Sequence, residues 1–199
     1  MAESAESLVP GKEAGEESAK ESGKEAGIDL EARSRRIRLI AMDVDGVLSE
    51  SRFIYMEGGG EARIFSIKDG MGIALARLAG LEVALISGRE SVIVARRAAE
   101  LHITDVYQGV IRKLGTFSQL IGKYGLDKEQ ACYIGDDIND LPILREVGLA
   151  VAVADAVEEV KQAAHYVTHA PGGGGAVREI IDRILRFQNL YDDAIKVFV

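Results

Sequence analysis

The chain has 199 residues, 47% of them hydrophobic, and a formal net charge of −8. That is enough apolar material for a full core in one domain of ordinary size, and the acidic balance, with no basic stripe among aromatics, excludes a nucleic-acid partner. No apolar run reaches the roughly 18–20 residues of a membrane helix, the N-terminus has no signal-peptide stretch, and the lone Cys132 cannot close an internal disulfide; a cytoplasmic protein with no membrane partner is expected.

Residues 1–35 hold 9 acids and 5 bases among Ala, Ser and Gly, with few large apolar side chains. Such a segment cannot bury enough surface to offset chain entropy, so a disordered acidic extension is predicted there. From residue 36 to 188 strands and helices alternate. Ile37–Met42 is the first strand. Arg52–Met56 and Glu61–Ile67 flank Gly58-Gly59-Gly60 and predict a β-hairpin. Met71–Leu78 has helical spacing and stops at Gly80. Val83–Ile86 is a wholly apolar strand, Ser91–Leu101 a helix, and Asp105–Tyr107 a short strand. Leu114–Tyr124 is a helix closed by Gly125. Strands follow at Ala131–Ile134, Ala150–Val153 and Tyr166–Thr168. Helices at about Asp137–Val147, Val157–Ala163 and Ala176–Phe187 separate or follow them. Short continuous apolar strands between amphipathic helices predict an α/β fold, a Rossmann-like doubly wound parallel sheet covered on both faces. Residues 189–199 form a tail, which either frays or reaches a neighbouring subunit.

The chemistry collects where strands end. The run Leu39-Ile40-Ala41-Met42 leads directly into Asp43-Val44-Asp45-Gly46-Val47. In open parallel sheets ligands bind outside the carboxyl ends of the strands. A carboxylate there can attack phosphorus, and a second can protonate the leaving alkoxide. Taken alone, the pattern also fits an acidic turn. Ser87-Gly88-Arg89 follows Val83–Ile86, where a hydroxyl and backbone N–H groups can bind a phosphate oxygen, or where a serine simply caps a helix. Lys113 opens a helix and could neutralise a carboxylate and phosphoryl oxygens; taken singly, it reads as a surface lysine. Gly135-Asp136-Asp137-Ile138-Asn139-Asp140 follows another apolar strand. Capping that helix needs one acid; three within five residues point to a Mg²⁺ site.

The set in this order resembles the four motifs of the haloacid dehalogenase superfamily of phosphohydrolases. Leu39–Ser49, Lys68-Asp69-Gly70, Ile86–Arg89, Tyr107-Gln108-Gly109, Ala152–Ala156 and Gly175-Ala176-Val177-Arg178-Glu179 are similar to the 3-deoxy-D-manno-octulosonate 8-phosphate phosphatases. The resemblance implies an aspartyl-phosphate mechanism, with Asp43 as nucleophile and Mg²⁺ ligand. It makes Asp45 the general acid/base, its backbone carbonyl a further ligand. Ser87 and Lys113 would hold the phosphoryl group, with Gly88 beside them. Asp136 would bind Mg²⁺, Asp140 would orient a metal-bound water or Lys113, and Asp137 is a supporting acid. Arg89, Lys68 and Arg97 are candidates for the sugar carboxylate. The interval between Val47 and Ser87 holds the hairpin and leaves no room for a cap domain, and the family walls its open site by forming a homotetramer. The implied partner is a small phosphorylated sugar acid of lipopolysaccharide biosynthesis. One departure stands out: Gly174 occupies a position where the family commonly has arginine. A nonulosonate 9-phosphate or a broad set of sugar phosphates therefore stays open as substrate. Two other classes stay open as well: an idle oligomerisation domain of this fold, and a phospho-accepting receiver domain.

Overall fold

β1 (Leu39–Met42) is four apolar residues, every one buried, in the middle of a six-stranded sheet. The computed structural model describes residues 30–198. A short helix, α1 (residues 30–34), leads into β1. After β1 come a separate antiparallel hairpin, β2 (Ile54–Met56) and β3 (Gly60–Ala62), and then α2 (Ile67–Leu78). The chain continues through β4 (Glu82–Ile86), α3 (Val92–Glu100), β5 (Asp105–Tyr107) and α4 (Lys113–Tyr124). It then runs through β6 (Ala131–Gly135), α5 (Leu141–Leu144), β7 (Leu149–Ala152), α6 (Glu158–Ala163) and β8 (Tyr166–Val167). Helices α7 (Ala176–Phe187) and α8 (Tyr191–Ile195) close the fold.

The large sheet has the order β5-β4-β1-β6-β7-β8 and every pairing is parallel. The chain winds outward from β1 through β4 to β5, then returns to β6 on the other side of β1. That reversal opens a crevice at the carboxyl end of β1. The register sharpens the placement. Met42 pairs with Leu85 on one side and Ile134 on the other, so Asp43 stands level with Ile86 and Gly135. Ser87 and Asp136 lie one residue further out.

Both faces of the sheet are covered, as apolar strands require. α7 contributes a buried stripe of Val177, Ile180, Ile181, Ile184 and Leu185 at helical spacing. α2 crosses it closely at Gly72, where a side-chain carbon would lie 3.0 Å from the Arg178 Cα. Among the described residues no helix is long and apolar enough to cross a membrane.

Several expected boundaries move. Residues 30–34 of the expected extension are helical, and Leu30 joins the core; residues 1–29 lie outside the described residues. α2 begins one turn early because Ser66 caps it, its hydroxyl accepting from the Asp69 N–H at 3.3 Å. The helix expected from Asp137 to Val147 is instead a 3-10 turn, Ile138–Asp140, followed by the single-turn α5. Pro142 lacks the N–H that a continuous helix would use, and Asp140 turns its carboxylate back onto the backbone. The tail is ordered through α8: Asn189 takes a left-handed turn, Tyr191 packs under Arg186, and Ala194 is buried.

Candidate active site

Asp43 inherits its position from β1. Its N–H donates to the Ile134 carbonyl at 3.0 Å, continuing the ladder, while its side chain emerges into the crevice. The Val44 N–H donates to Asp43 Oδ1 at 2.6 Å, and Lys113 Nζ lies 2.8 Å from Oδ2. Lys113 is the first residue of α4, and its ammonium is enclosed between Asp43 and Asp140, 2.8 Å from each. It is a buried site lysine rather than a surface one.

Asp140 makes its arrangement with no exposure at all. Oδ1 accepts from Lys113 and from the Tyr133 hydroxyl at 2.7 Å; Oδ2 accepts from the Asp136 N–H at 3.1 Å and, longer, the Asp137 N–H at 3.5 Å. Its acceptor capacity is used by these donors. Asp136 contrasts with it: Oδ1 is buried and has no hydrogen-bond partner among the described residues. One carboxylate oxygen from each of Asp43, Asp136 and Asp140 lies within 4.8 Å of the other two. Three acids so close, one with an orphaned buried oxygen, fit a hard divalent cation, for which carboxylate oxygen is the preferred donor. Asp140 has four donors on its two oxygens, whereas Asp43 has one on each and Asp136 Oδ1 none, so Asp43 and Asp136 are the side chains with acceptor capacity left to hold it.

The electrostatics agree. Burial raises the Asp43 carboxyl to about 7, helped by the Asp140 charge and opposed by Lys113. Burial, then Asp43 and Asp140, raise Asp136 to about 8. Burial pulls the Lys113 ammonium down, but Asp43 and Asp140 outweigh it and the net shift is upward. A cation would relieve the repulsion that these carboxylates impose on one another.

Asp45 lies two residues on, past the turn at Gly46. Gly46 has a φ of 93° and a side-chain carbon there would overlap the Asp136 carboxylate, so only glycine fits. Asp45 pairs with Arg63, whose side chain is 1% exposed at the end of the hairpin. Burial raises the Asp45 carboxyl and Arg63 opposes that shift. Arg63 was not expected from the sequence; its only local signal was a cation directly after a short strand. Tyr133 was also missed, although a single hydroxyl in an otherwise apolar strand is a usable sign of a buried acceptor nearby.

An open pocket of about 190 Å³ lies over these groups, lined by Asp43, Asp45, Phe53, Gly88, Arg89, Asp136, Asp137 and Asn139. Ser87, directly before the lining residue Gly88, is buried, and its hydroxyl accepts from the Arg89 N–H at 3.2 Å. The Arg89 guanidinium lies 4.3 Å from the Phe53 ring centre and bonds Tyr55 at 3.3 Å. Lys68 and Arg97, expected at the substrate, stand outside this pocket. Lys68 is exposed on the first turn of α2. Arg97 is held by Glu100 at 3.3 Å and by the Phe65 ring, against Gly70.

A haloacid dehalogenase-like hydrolase family matches residues 90–180. The 3-deoxy-D-manno-octulosonate 8-phosphate phosphatase KdsC of Escherichia coli K12 is 44% identical over 166 residues, 83% of this chain and 88% of that one. The corresponding Yersinia pestis phosphatase is 42% identical over 83% of this chain and 89% of its own. The crystal structure of the Moraxella catarrhalis phosphatase, in complex with magnesium ion, phosphate ion and a KDO molecule, superposes with a TM-score of 0.83. It is 38% identical and covers 86% of this chain and 98% of that one. With the doubly wound sheet and the acids gathered at the end of β1, the chain belongs to the 3-deoxy-D-manno-octulosonate 8-phosphate phosphatase family of haloacid dehalogenase-like hydrolases.

Proposed function

We propose that this chain is a Mg²⁺-dependent phosphatase hydrolysing 3-deoxy-D-manno-octulosonate 8-phosphate through an aspartyl-phosphate on Asp43. The observation that carries the reading is the enclosure of Lys113 between Asp43 and Asp140 beside the orphaned Asp136 oxygen.

Asp43, Asp136 and the backbone carbonyl of Asp45 would hold Mg²⁺. When bound, the ion supplies positive charge against which a phosphate dianion can approach the acidic crevice. An Asp43 carboxylate oxygen attacks phosphorus and the ester P–O bond breaks. The leaving sugar alkoxide takes the proton of Asp45. Water then attacks the aspartyl-phosphate, Asp45 takes up the water proton, and the bond from phosphorus to Asp43 breaks to release phosphate. Lys113 balances charge on Asp43 and on the phosphoryl oxygens, with Asp140 and Tyr133 fixing where its ammonium sits. Ser87 and Gly88 hold a phosphoryl oxygen. Asp137 supports the site as the cap of the 3-10 turn, accepting from the Ile138 N–H at 2.7 Å. Arg89 at the pocket mouth faces the sugar carboxylate, with Phe53 as an apolar wall. Lys68 and Arg97 are second candidates for that carboxylate, within an assembly.

The reading extends to a cytoplasmic homotetramer. What supports assembly is the exposed apolar edge of the hairpin, where Ile54, Tyr55 and Met56 all face solvent. Light scattering on the purified protein reads the oligomer directly.

The deciding experiment is phosphate release from 3-deoxy-D-manno-octulosonate 8-phosphate, a nonulosonate 9-phosphate and hexose phosphates, with Mg²⁺ and with EDTA. A strong Mg²⁺-dependent preference for the octulosonate is expected. Comparable weak turnover of all of them would favour the broad-specificity reading, which Gly174 makes the natural second choice.

A further inference from the structure

Asp69 and the Gly175–Glu179 motif have no role in the chemistry above, yet they meet in the structure. Asp69 is on α2 and wholly buried. Its Oδ1 accepts from the Arg178 N–H at 2.8 Å and its Oδ2 from the Gly175 N–H at 3.1 Å, so it closes the N-terminus of α7 across more than a hundred residues of chain. Directly before that N-terminus runs Gly172–Gly175. The Gly173 N–H donates to the Val47 carbonyl at 2.8 Å. A side-chain carbon at Gly172 would overlap the Gly46 carbonyl, and one at Gly173 would overlap the Glu50 backbone. Gly172 and Gly173 therefore lie against the backbone from Gly46 to Glu50, the turn that follows Asp45. The other end of the glycine run is tied as well: Glu179 accepts from the His169 and Ala170 N–H groups, each at 3.0 Å.

We infer that Asp69 is a positioning residue for the general acid: by holding the start of α7, it presses the glycine run onto the Gly46 turn and sets where Asp45 sits. A fully buried carboxylate is a costly way to end a helix, and a neutral cap would serve stability alone. What a doubly accepting carboxylate adds is a defined position for two N–H groups at once. The glycines are needed because only bare backbone can approach another backbone this closely. The inference rests on the reading of Asp45 as general acid.

The test separates leaving groups. An alkoxide needs the proton of Asp45 to depart, whereas 4-nitrophenolate leaves without one. With enzyme in excess over substrate and Mg²⁺ present, rates of leaving-group release are measured for 3-deoxy-D-manno-octulosonate 8-phosphate and for 4-nitrophenyl phosphate. Asp69→Asn, which keeps the shape and loses one acceptor, should slow the sugar phosphate on the order of 10- to 100-fold and the nitrophenyl ester by less than about a tenth of that factor. Gly172→Ala, which displaces the turn directly, should show the same selectivity and serves if Asp69→Asn does not fold. Equal slowing of both esters, or slowing of neither, overturns the inference. Asp45→Asn is the reference. Selectivity there but not in the other two variants overturns the positioning role alone; its absence in Asp45→Asn overturns the general-acid reading and the inference with it.

Discussion

The ammonium of Lys113 lies 2.8 Å from Asp140 Oδ1, and neither side chain has any exposed surface. A buried pair of this kind is weak evidence for stability by itself, but breaking it is costly, about 3–5 kcal/mol when one partner is removed. Asp140 also receives the Tyr133 hydroxyl and the Asp136 and Asp137 N–H groups of the loop after β6. Asp140→Ala should therefore lower unfolding free energy by about that amount, read by denaturant titration. Asp140→Asn should retain most of the fold but turn an amide N–H₂ toward one set of donors. Phosphate release should fall by about 100-fold or more.

Asp43→Asn should abolish turnover while leaving the fold intact. Phosphate release and circular dichroism check this together, and substantial residual turnover would remove Asp43 from the role of nucleophile.

Gly46→Ala places a side-chain carbon on the Asp136 carboxylate and forces a positive φ on a residue that disfavours it. Mg²⁺ affinity, read by calorimetry, should fall by about tenfold or more, together with activity. Wild-type affinity in this variant would mean that the Asp136 side chain has another place to go.

The raised carboxyls give a pH dependence with a definite sign. Asp43 at about 7 and Asp136 at about 8 keep their protons in the cation-free fold where the unfolded chain, at the ordinary 3.8, has lost them. Their contribution to stability is full below about pH 4 and is lost as pH rises through about 7–8. Melting temperature in EDTA should thus decline over that window, whereas Mg²⁺ should flatten the decline and release protons on binding near neutral pH. An EDTA profile that rises across the window would contradict the burial of these groups.

Arg63 is the direct partner of Asp45 and is almost wholly enclosed. Arg63→Met should reduce kcat by about 10- to 100-fold through loss of acid placement, with KM little changed. Arg63→Lys should restore part of the rate. A change confined to KM would instead place Arg63 against the substrate.

Gly174 is linked to Pro171. A side-chain carbon at 174 would lie 2.8 Å from Pro171 Cγ, so Gly174→Arg alone should destabilise by about 1–3 kcal/mol through overpacking. Combined with Pro171→Ala, the arginine should be accommodated and should lower KM for an octulosonate phosphate more than for a neutral sugar phosphate. An equal response from both substrates would show that the position does not read the carboxylate.

Much of this protein was legible along the chain. Short all-apolar strands alternating with amphipathic helices specify a parallel sheet because only burial on both faces suits them. Acids placed directly after β1 and β6 mark the crevice, since strand ends are where such a sheet meets solvent. Asp43, Asp45, Asp136 and Asp140 stand out as candidates on that basis, and α7 as an amphipathic helix, whereas Ser87, which alone reads equally as a helix cap, enters only with the ordered set of motifs. Lys113 could be named only as part of the set, because a lone lysine at a helix start carries no sign of being buried. The pairings that make the site operate over long separations and depended on tertiary structure. Arg63 reaches Asp45 because the hairpin folds back over the crevice, and Tyr133 meets Asp140 because the acidic loop curls under its own strand. Asp69 meets the glycine run because α2 and α7 cross closely at Gly72. For the same reason Lys68 and Arg97 are not among the residues that line the pocket. Local sequence sets which residues end a strand or cap a helix; which of them share a cavity is decided by how the layers pack.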